Sequence, residues 1–259
     1  MVQNDNVIKL AIIGSTRLTL DSMKHISELK DFEILLVFGL KKDNQKRKVN
    51  SVDLSSFCLK NSINLDESEN WDNFYNFCNK EEIDLIITLG DSRIIPANIV
   101  NSFNVIGNHG AILPDIQGGA SLVWGRILNS KYWGISIMKI GEKVDSGDIL
   151  KTRTFYYDEN TTEKEFTDKA DSETVQALIQ VLKGDYEIMK NRKWQVRVAK
   201  HTDSYKVIKI LEHCLKNNLA IYLPPRTFND GKINKDWPNE FTRKFKIAND
   251  HPYPKWSEE

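Results

Sequence analysis

The chain has 259 residues, enough to bury one large core, or one core with a small appendage. Hydrophobic residues make up 40% and charged residues 28%, as in an ordinary globular protein, and Lys+Arg and Asp+Glu balance at 36 each, so no overall field recruits nucleic acid or an anionic membrane. Cys58, Cys78 and Cys214 stand far apart with no Cys-x-x-Cys spacing, which points to free thiols rather than disulfides or zinc; the first apolar run is too short for a signal peptide or membrane span, so a cytoplasmic protein is expected.

Val7–Gly14 is a near-continuous β-branched run of the kind buried on both faces of a parallel sheet. A helix is expected to begin near Thr19 or Asp21; the single Gly14 before it does not make a dinucleotide fingerprint. Phe32–Leu40 reads as a second buried strand, and the cation-rich stretch Lys41–Asn50 as a solvated loop. Leu54–Leu65 should form a short helix and a turn into a strand. Trp71–Lys80 places its aromatic and Cys residues on one helical face, a packing face rather than a ligand site. Ile83–Leu89 is another buried strand, and Pro96 should open the next helix.

The stretch Asn104–Leu150 is the centre of the pattern. A strand stops at His109, a second runs through Ile135 and Ile137 toward a lone acid, Asp145, and the strand Ile149–Tyr157 follows. Thr162 and Glu165 form a capping box that starts a long helix, with Phe166, Ala170, Val175, Leu178, Val181 and Leu182 as its stripe and Gly184 as its stop. Beyond, residues 187–216 carry eight Lys/Arg against three acids, either a solvated face or a surface for a phosphate-bearing substrate. Val207–Cys214 reads as a helix, and a Trp/Tyr/Pro-rich tail ends the chain. Strands alternating with helices predict an α/β fold: a Rossmann-like, mostly parallel twisted sheet with helices on both faces, over residues 1–185. Residues 186–259 are expected to form a small α+β extension contributing to the substrate site or a dimer interface.

A lone histidine at a strand end is often only a satisfied side chain, and an acid in Val144-Asp145-Ser146-Gly147 could form a turn. Together they carry more. If their strands neighbour each other, Asp145 can orient His109 as a general base or polarising donor, and Asn108 can offer an amide to a developing oxyanion.

These residues resemble those of the N10-formyltetrahydrofolate-dependent formyltransferases, whose members formylate glycinamide ribonucleotide, methionyl-tRNA or amino sugars. The resemblance rests on Asn108-His109-Gly110-Ala111-Ile112-Leu113-Pro114, on Gln117-Gly118-Gly119, and on Asp145-Ser146-Gly147, and it runs from Val7 to about Gly184. It implies that Asn108, His109 and Asp145 are catalytic. It also implies that Leu89, Gly90, Arg93, Ile94, Ile95, Ile140 and Asp145 hold the folate and that Gln117, Gly118 and Gly119 meet the acceptor. The implied reaction needs no metal: a primary amine attacks the formyl carbon, with His109 relaying protons and Asp145 holding His109. The likeness returns at Arg226, Asp230-Gly231-Lys232-Ile233, Trp237 and His251-Pro252-Tyr253-Pro254, which look like the C-terminal part of sugar and tRNA formyltransferases. Two positions depart from the pattern: Gly107 stands where the family carries its Asn, and Met138 where members usually carry a His.

The acceptor implied is the amine of a nucleotide-linked (dTDP-, UDP- or GDP-) amino-deoxy sugar, for cell-surface glycan biosynthesis. Methionyl-tRNA is an alternative, as is a formyltransferase-fold binding protein with altered or lost chemistry; glycinamide ribonucleotide fits least. No membrane or nucleic acid partner is expected.

Overall fold

A computed structural model describes residues 7–249 and 257–258; the tail motif at 251–254 lies outside them. The chain divides into two compact units, Met1–Asn108 with Lys139–Glu142, and His109–Met138 with Lys143–Glu259.

In the first unit the strands β1 (Ile8–Ile13), β2 (Phe32–Phe38), β3 (Asn64–Asp66), β4 (Leu85–Thr88) and β5 (Val105–His109) lie in the order β3-β2-β1-β4-β5, all parallel. The β-branched run of β1 sits at the centre because it is apolar on both faces: Leu10, Ala11, Ile12 and Ile13 are all buried. Ala11 pairs with Leu36 on one side and Ile86 on the other. The helices are α1 (Arg17–Ile26), α2 (Lys42–Gln45), α3 (Ser55–Lys60), α4 (Trp71–Lys80) and α5 (Ala97–Ser102). The periodic face of α4 does pack: Phe74 and Cys78 are buried against β1 and β2 residues, and the Asn70 side chain caps its start. Helix α1 begins earlier than expected, at Arg17, because the Thr16 backbone N–H donates to Thr19 Oγ1 at 3.1 Å and closes the first turn. The cationic stretch is not a plain loop. It holds the single turn α2, and Lys48 folds back to donate to Ser92 Oγ at 3.2 Å.

In the second unit β6 (Ile116–Gly118) is followed by α6 (Ser121–Leu128), β7 (Tyr132–Lys139), β8 (Ile149–Tyr156) and α7 (Glu163–Leu182). After these come β9 (Val196–Arg197), α8 (Ser204–Lys216), β10 (Ile221–Leu223), β11 (Lys232–Ile233), α9 (Asn239–Ala248) and β12 (Ser257–Glu258). Strands β7 and β8 are antiparallel. Helix α7 packs on β8 and opens with the expected capping box, Thr162 N–H donating to Glu165 Oε2 at 2.7 Å and Glu165 N–H to Thr162 Oγ1 at 3.2 Å. Phe155, Tyr157 and Phe166 meet edge to face beneath it.

Two expectations are corrected here. Strand β7 ends at Lys139, so Asp145 is not its last residue; it stands six positions on, in a loop, with left-handed backbone (φ 50°). Residues 116–118, which the resemblance makes part of a Gly-bearing loop, form a short strand. They pair in parallel with β10, which also pairs with β9, forming a sheet in the order β6-β10-β9. The pairing needs Gly118 and Gly119: a Cβ on Gly118 (φ 99°) would lie 2.2 Å from the Leu223 carbonyl oxygen, and one on Gly119 2.7 Å from Pro225 Cα.

Candidate active site

His109, the last residue of β5, is buried at 6% exposure. The segment after it is tied down by Trp133 Nε1, which donates to the Gly110 carbonyl at 2.8 Å, and by Ser136 Oγ, which donates to the Ala111 carbonyl at 2.8 Å. The imidazole meets an acceptor at each nitrogen. Nδ1 lies 3.3 Å from Asp145 Oδ1, and Nε2 lies 2.9 Å from the Ile116 carbonyl oxygen. A carbonyl and a carboxylate only accept, so both contacts are hydrogen bonds only while a proton sits on each.

Asp145 is held from three directions. Its Oδ2 accepts from the Gly118 N–H at 2.8 Å, its Oδ1 faces His109, and its backbone carbonyl accepts from Asn191 Nδ2 at 2.8 Å. Burial pushes the Asp145 carboxyl up, but the hydrogen bond and charge of His109 together with the Gly118 N–H outweigh it, and the net position is below the usual carboxylate range. The arrangement is a carboxylate fixed against an oriented imidazole, with a ring and an acid poised to pass or hold a proton.

Strand β6 brackets both members of this pair. Its Ile116 carbonyl holds the ring and its Gly118 N–H holds the acid. The Gln117 side chain, between them, donates to the Arg192 carbonyl at 2.7 Å and is buried. Gln117, Gly118 and Gly119 are therefore engaged with the protein itself. Ile116 and Asn191 escaped the sequence reading. One acts through a backbone carbonyl, which no residue type signals. The other arrives from 46 positions away.

In the first unit, Asn108 Oδ1 accepts from the Gly90 N–H at 3.0 Å. Gly90 has left-handed backbone (φ 60°) with Thr16 Oγ1 against it, so Asn108 secures a tight turn at the end of β4. Gly107 has no room for the family's Asn. A Cβ there would lie 2.5 Å from Thr88 Cγ2 and 2.9 Å from Ile140 Cδ1. Gly107→Asn is expected to destabilise the protein by about 1–3 kcal/mol through overpacking; urea unfolding of the variant measures it, and an unchanged midpoint would show that the space is there.

Leu89 is fully buried, and its backbone carbonyl is taken by Thr19 Oγ1. The Arg93 guanidinium is committed to Asp91 and to the Phe38 and Gly39 carbonyls. Ile94 is 80% exposed, while Ile95 and Ile140 pack against the core cluster around β1 and are only partly buried. In the second unit Met138 is buried and brings no titratable group to β7. Among the described residues no group of three or more His, Cys, Asp or Glu could hold a metal ion, and no helix is long and apolar enough to cross a membrane.

On the outer part of the second unit's small sheet, Trp194 and Tyr222 lie with ring centroids 6.0 Å apart. The Arg197 guanidinium stands over both rings, at 5.8 and 5.4 Å, and Lys193 stands over Trp194 at 5.6 Å. Half-buried rings under cations suit a ligand with a planar base and phosphate charge.

A family model described as "Formyl transferase" matches residues 8–182. Among curated proteins, methionyl-tRNA formyltransferase of Mycoplasma capricolum subsp. capricolum is 26% identical over 148 residues, 56% of this chain and 47% of that protein. The chain spans about half the length of the curated relatives it matches. Among solved structures, a 4-N formyltransferase from Francisella tularensis superposes with TM-score 0.66 at 17% identity, covering 98% of this chain and 93% of that one. The N-formyltransferase from Helicobacter canadensis, in complex with folinic acid and dTDP-3-aminofucose, gives TM-score 0.62 at 18% identity, covering 93% and 80%.

Proposed function

The chain belongs to the formyl transferase family, and from that premise we propose that it transfers a formyl group from N10-formyltetrahydrofolate to the primary amine of a nucleotide-linked amino sugar. The transfer forms a bond between the amine nitrogen and the formyl carbon, breaks the bond from that carbon to N10, and moves one proton from the amine to N10. The folate supplies the formyl carbon as electrophile. Ile94, Ile95 and Ile140 offer its ring apolar surface, and Arg93 shapes the loop that carries Ile94 and Ile95 rather than reaching out of it. His109 donates to the developing oxyanion and carries the proton once Nε2 exchanges the Ile116 carbonyl for the substrate, and Asp145 keeps the ring oriented and its charge balanced. With Asn108 Oδ1 occupied by Gly90, the amide nitrogen of Asn108 is its group available to an oxyanion.

The platform of Trp194, Tyr222 and Arg197 is the observation that carries the acceptor class. It lies in the 186–259 extension and supplies stacking surface and positive charge, the two things a nucleoside diphosphate asks for. The fold neighbours from Francisella and Helicobacter, a 4-N formyltransferase and an N-formyltransferase in complex with dTDP-3-aminofucose, support the same class. The curated relatives instead carry the name methionyl-tRNA formyltransferase. Against tRNA stands the balance of 36 cations and 36 anions, where a polyanion would call for a basic surface.

The test is the purified chain incubated with N10-formyltetrahydrofolate and a panel of dTDP-, UDP- and GDP-linked 3-amino and 4-amino sugars, with mass spectrometry for the gain of one formyl group. Formylation of a nucleotide sugar is the expected result. Formylation of methionyl-tRNA alone would replace the acceptor, and calorimetry showing no binding of a stable folate analogue would point to a fold that has lost its chemistry.

A further inference from the structure

The family model ends at residue 182, yet the His109–Asp145 pair is braced from beyond it. Strand β6 touches both members through its backbone, at the Ile116 carbonyl and the Gly118 N–H. Three residues cannot hold a strand conformation unaided. What fixes β6 is β10: Ile221, Tyr222 and Leu223 lie opposite Ile116, Gln117 and Gly118, the Ile221 N–H donates to the Asp115 carbonyl at 2.8 Å, and the Gly119 N–H donates to the Leu223 carbonyl at 3.2 Å. The segment after β10 is anchored in turn. Trp124 Nε1 donates to the Pro224 carbonyl at 3.0 Å, and Arg226 lies over the Trp124 and Phe245 rings at 5.1 and 5.3 Å.

We infer that residues 221–226 are positioning residues for the active-site pair: their backbone sets β6, and β6 sets both the ring of His109 and the carboxylate of Asp145. The two glycines of β6 and its end serve this approach of backbone to backbone, not the acceptor. The inference rests on the proposed reaction only for its kinetic readout.

Two full-length variants test it. Gly118→Ala forces the strands apart at the point of closest approach, and Trp124→Phe removes the indole donor to Pro224 and shrinks the ring under Arg226. Proton–nitrogen NMR of the imidazoles, with His109 assigned by comparison with His109→Gln, reads the geometry directly. Displaced His109 ring resonances are expected in both variants, with unchanged α4 amide signals. In the formyl-transfer assay kcat should fall at least tenfold for Gly118→Ala and several-fold for Trp124→Phe, with the KM for the folate within twofold of wild type. Should Gly118→Ala not fold, Trp124→Phe decides. His109 resonances that stay put in a folded variant overturn the inference. Displaced resonances in a protein that formylates nothing uphold the positioning role and refute the proposed reaction instead.

Discussion

Replacing Asp145 with Asn should cut formyl transfer by ~10²–10⁴-fold, the usual weight of a positioned acid–base group, while the chain stays folded. The amide can keep the Gly118 N–H contact with its oxygen, but it then turns its NH₂ toward His109 Nδ1, and two donors face each other. The ring must give up its Nδ1 proton or turn, and the negative charge that balances an imidazolium is gone. Mass-spectrometric turnover of the purified variant, beside its circular-dichroism melt, measures this; wild-type turnover in a folded variant would remove Asp145 from the chemistry. A pH signature accompanies it. The Asp145 carboxyl lies below its ordinary range in the folded protein, so the unfolded chain takes up its proton first. The stability this group contributes is complete above about pH 4 and is lost as pH falls through the lower folded value. The melting-temperature gap between wild type and Asp145→Asn should therefore narrow in acid, and a gap that is flat from neutral pH downward would show that the carboxylate gains nothing from folding.

Arg93→Met should destabilise the first unit by about 3–5 kcal/mol, as breaking a buried ion pair does. Its partner Asp91 is 3% exposed and Arg93 17%, and the pair is bidentate, with Nε and Nη2 both on the carboxylate. The same guanidinium donates to the Phe38 and Gly39 carbonyls at 3.0 and 2.9 Å and lies over the Phe38 and Trp71 rings. Methionine would leave the buried Asp91 carboxylate with only the backbone N–H of residue 93, the Phe38 carbonyl with only the Gly14 N–H, and the Gly39 carbonyl without its guanidinium donor. Lysine should not restore the loss, because one ammonium cannot reach three acceptors set out for a planar fork. Urea unfolding of Arg93→Met and Arg93→Lys tests both statements, and a loss below about 1 kcal/mol would place Arg93 among ordinary surface pairs.

Strands and helices of the first unit were legible because burial on both faces leaves a continuous apolar run. VIKLAIIG and IDLIITL admit little else, and the spacing of the aromatic and Cys residues over Trp71–Lys80 marks α4. His109 and Asp145 could be singled out by their surroundings in the sequence. Their meeting at 3.3 Å is a long-range fact that no local pattern encodes. The sequence places Asp145 at a strand end, whereas the acid adopts left-handed backbone in a loop and accepts from the Gly118 N–H. Glycine marks any close approach, so Gly118-Gly119 fits a ligand loop or a strand contact alike; in the structure the chain's own strand β10 approaches both. Strand β6 itself was missed because three residues, one of them glycine, carry no periodicity.

The brace behind the active site works through carbonyls and amides. As far as β6 is concerned, any side chain that keeps β10 extended would serve at Leu223, whereas Tyr222 also carries a ring of the proposed acceptor platform. Such a stretch is free to drift in letters while its path is kept. The Francisella structure superposes over 98% of the chain, while the family model stops at residue 182.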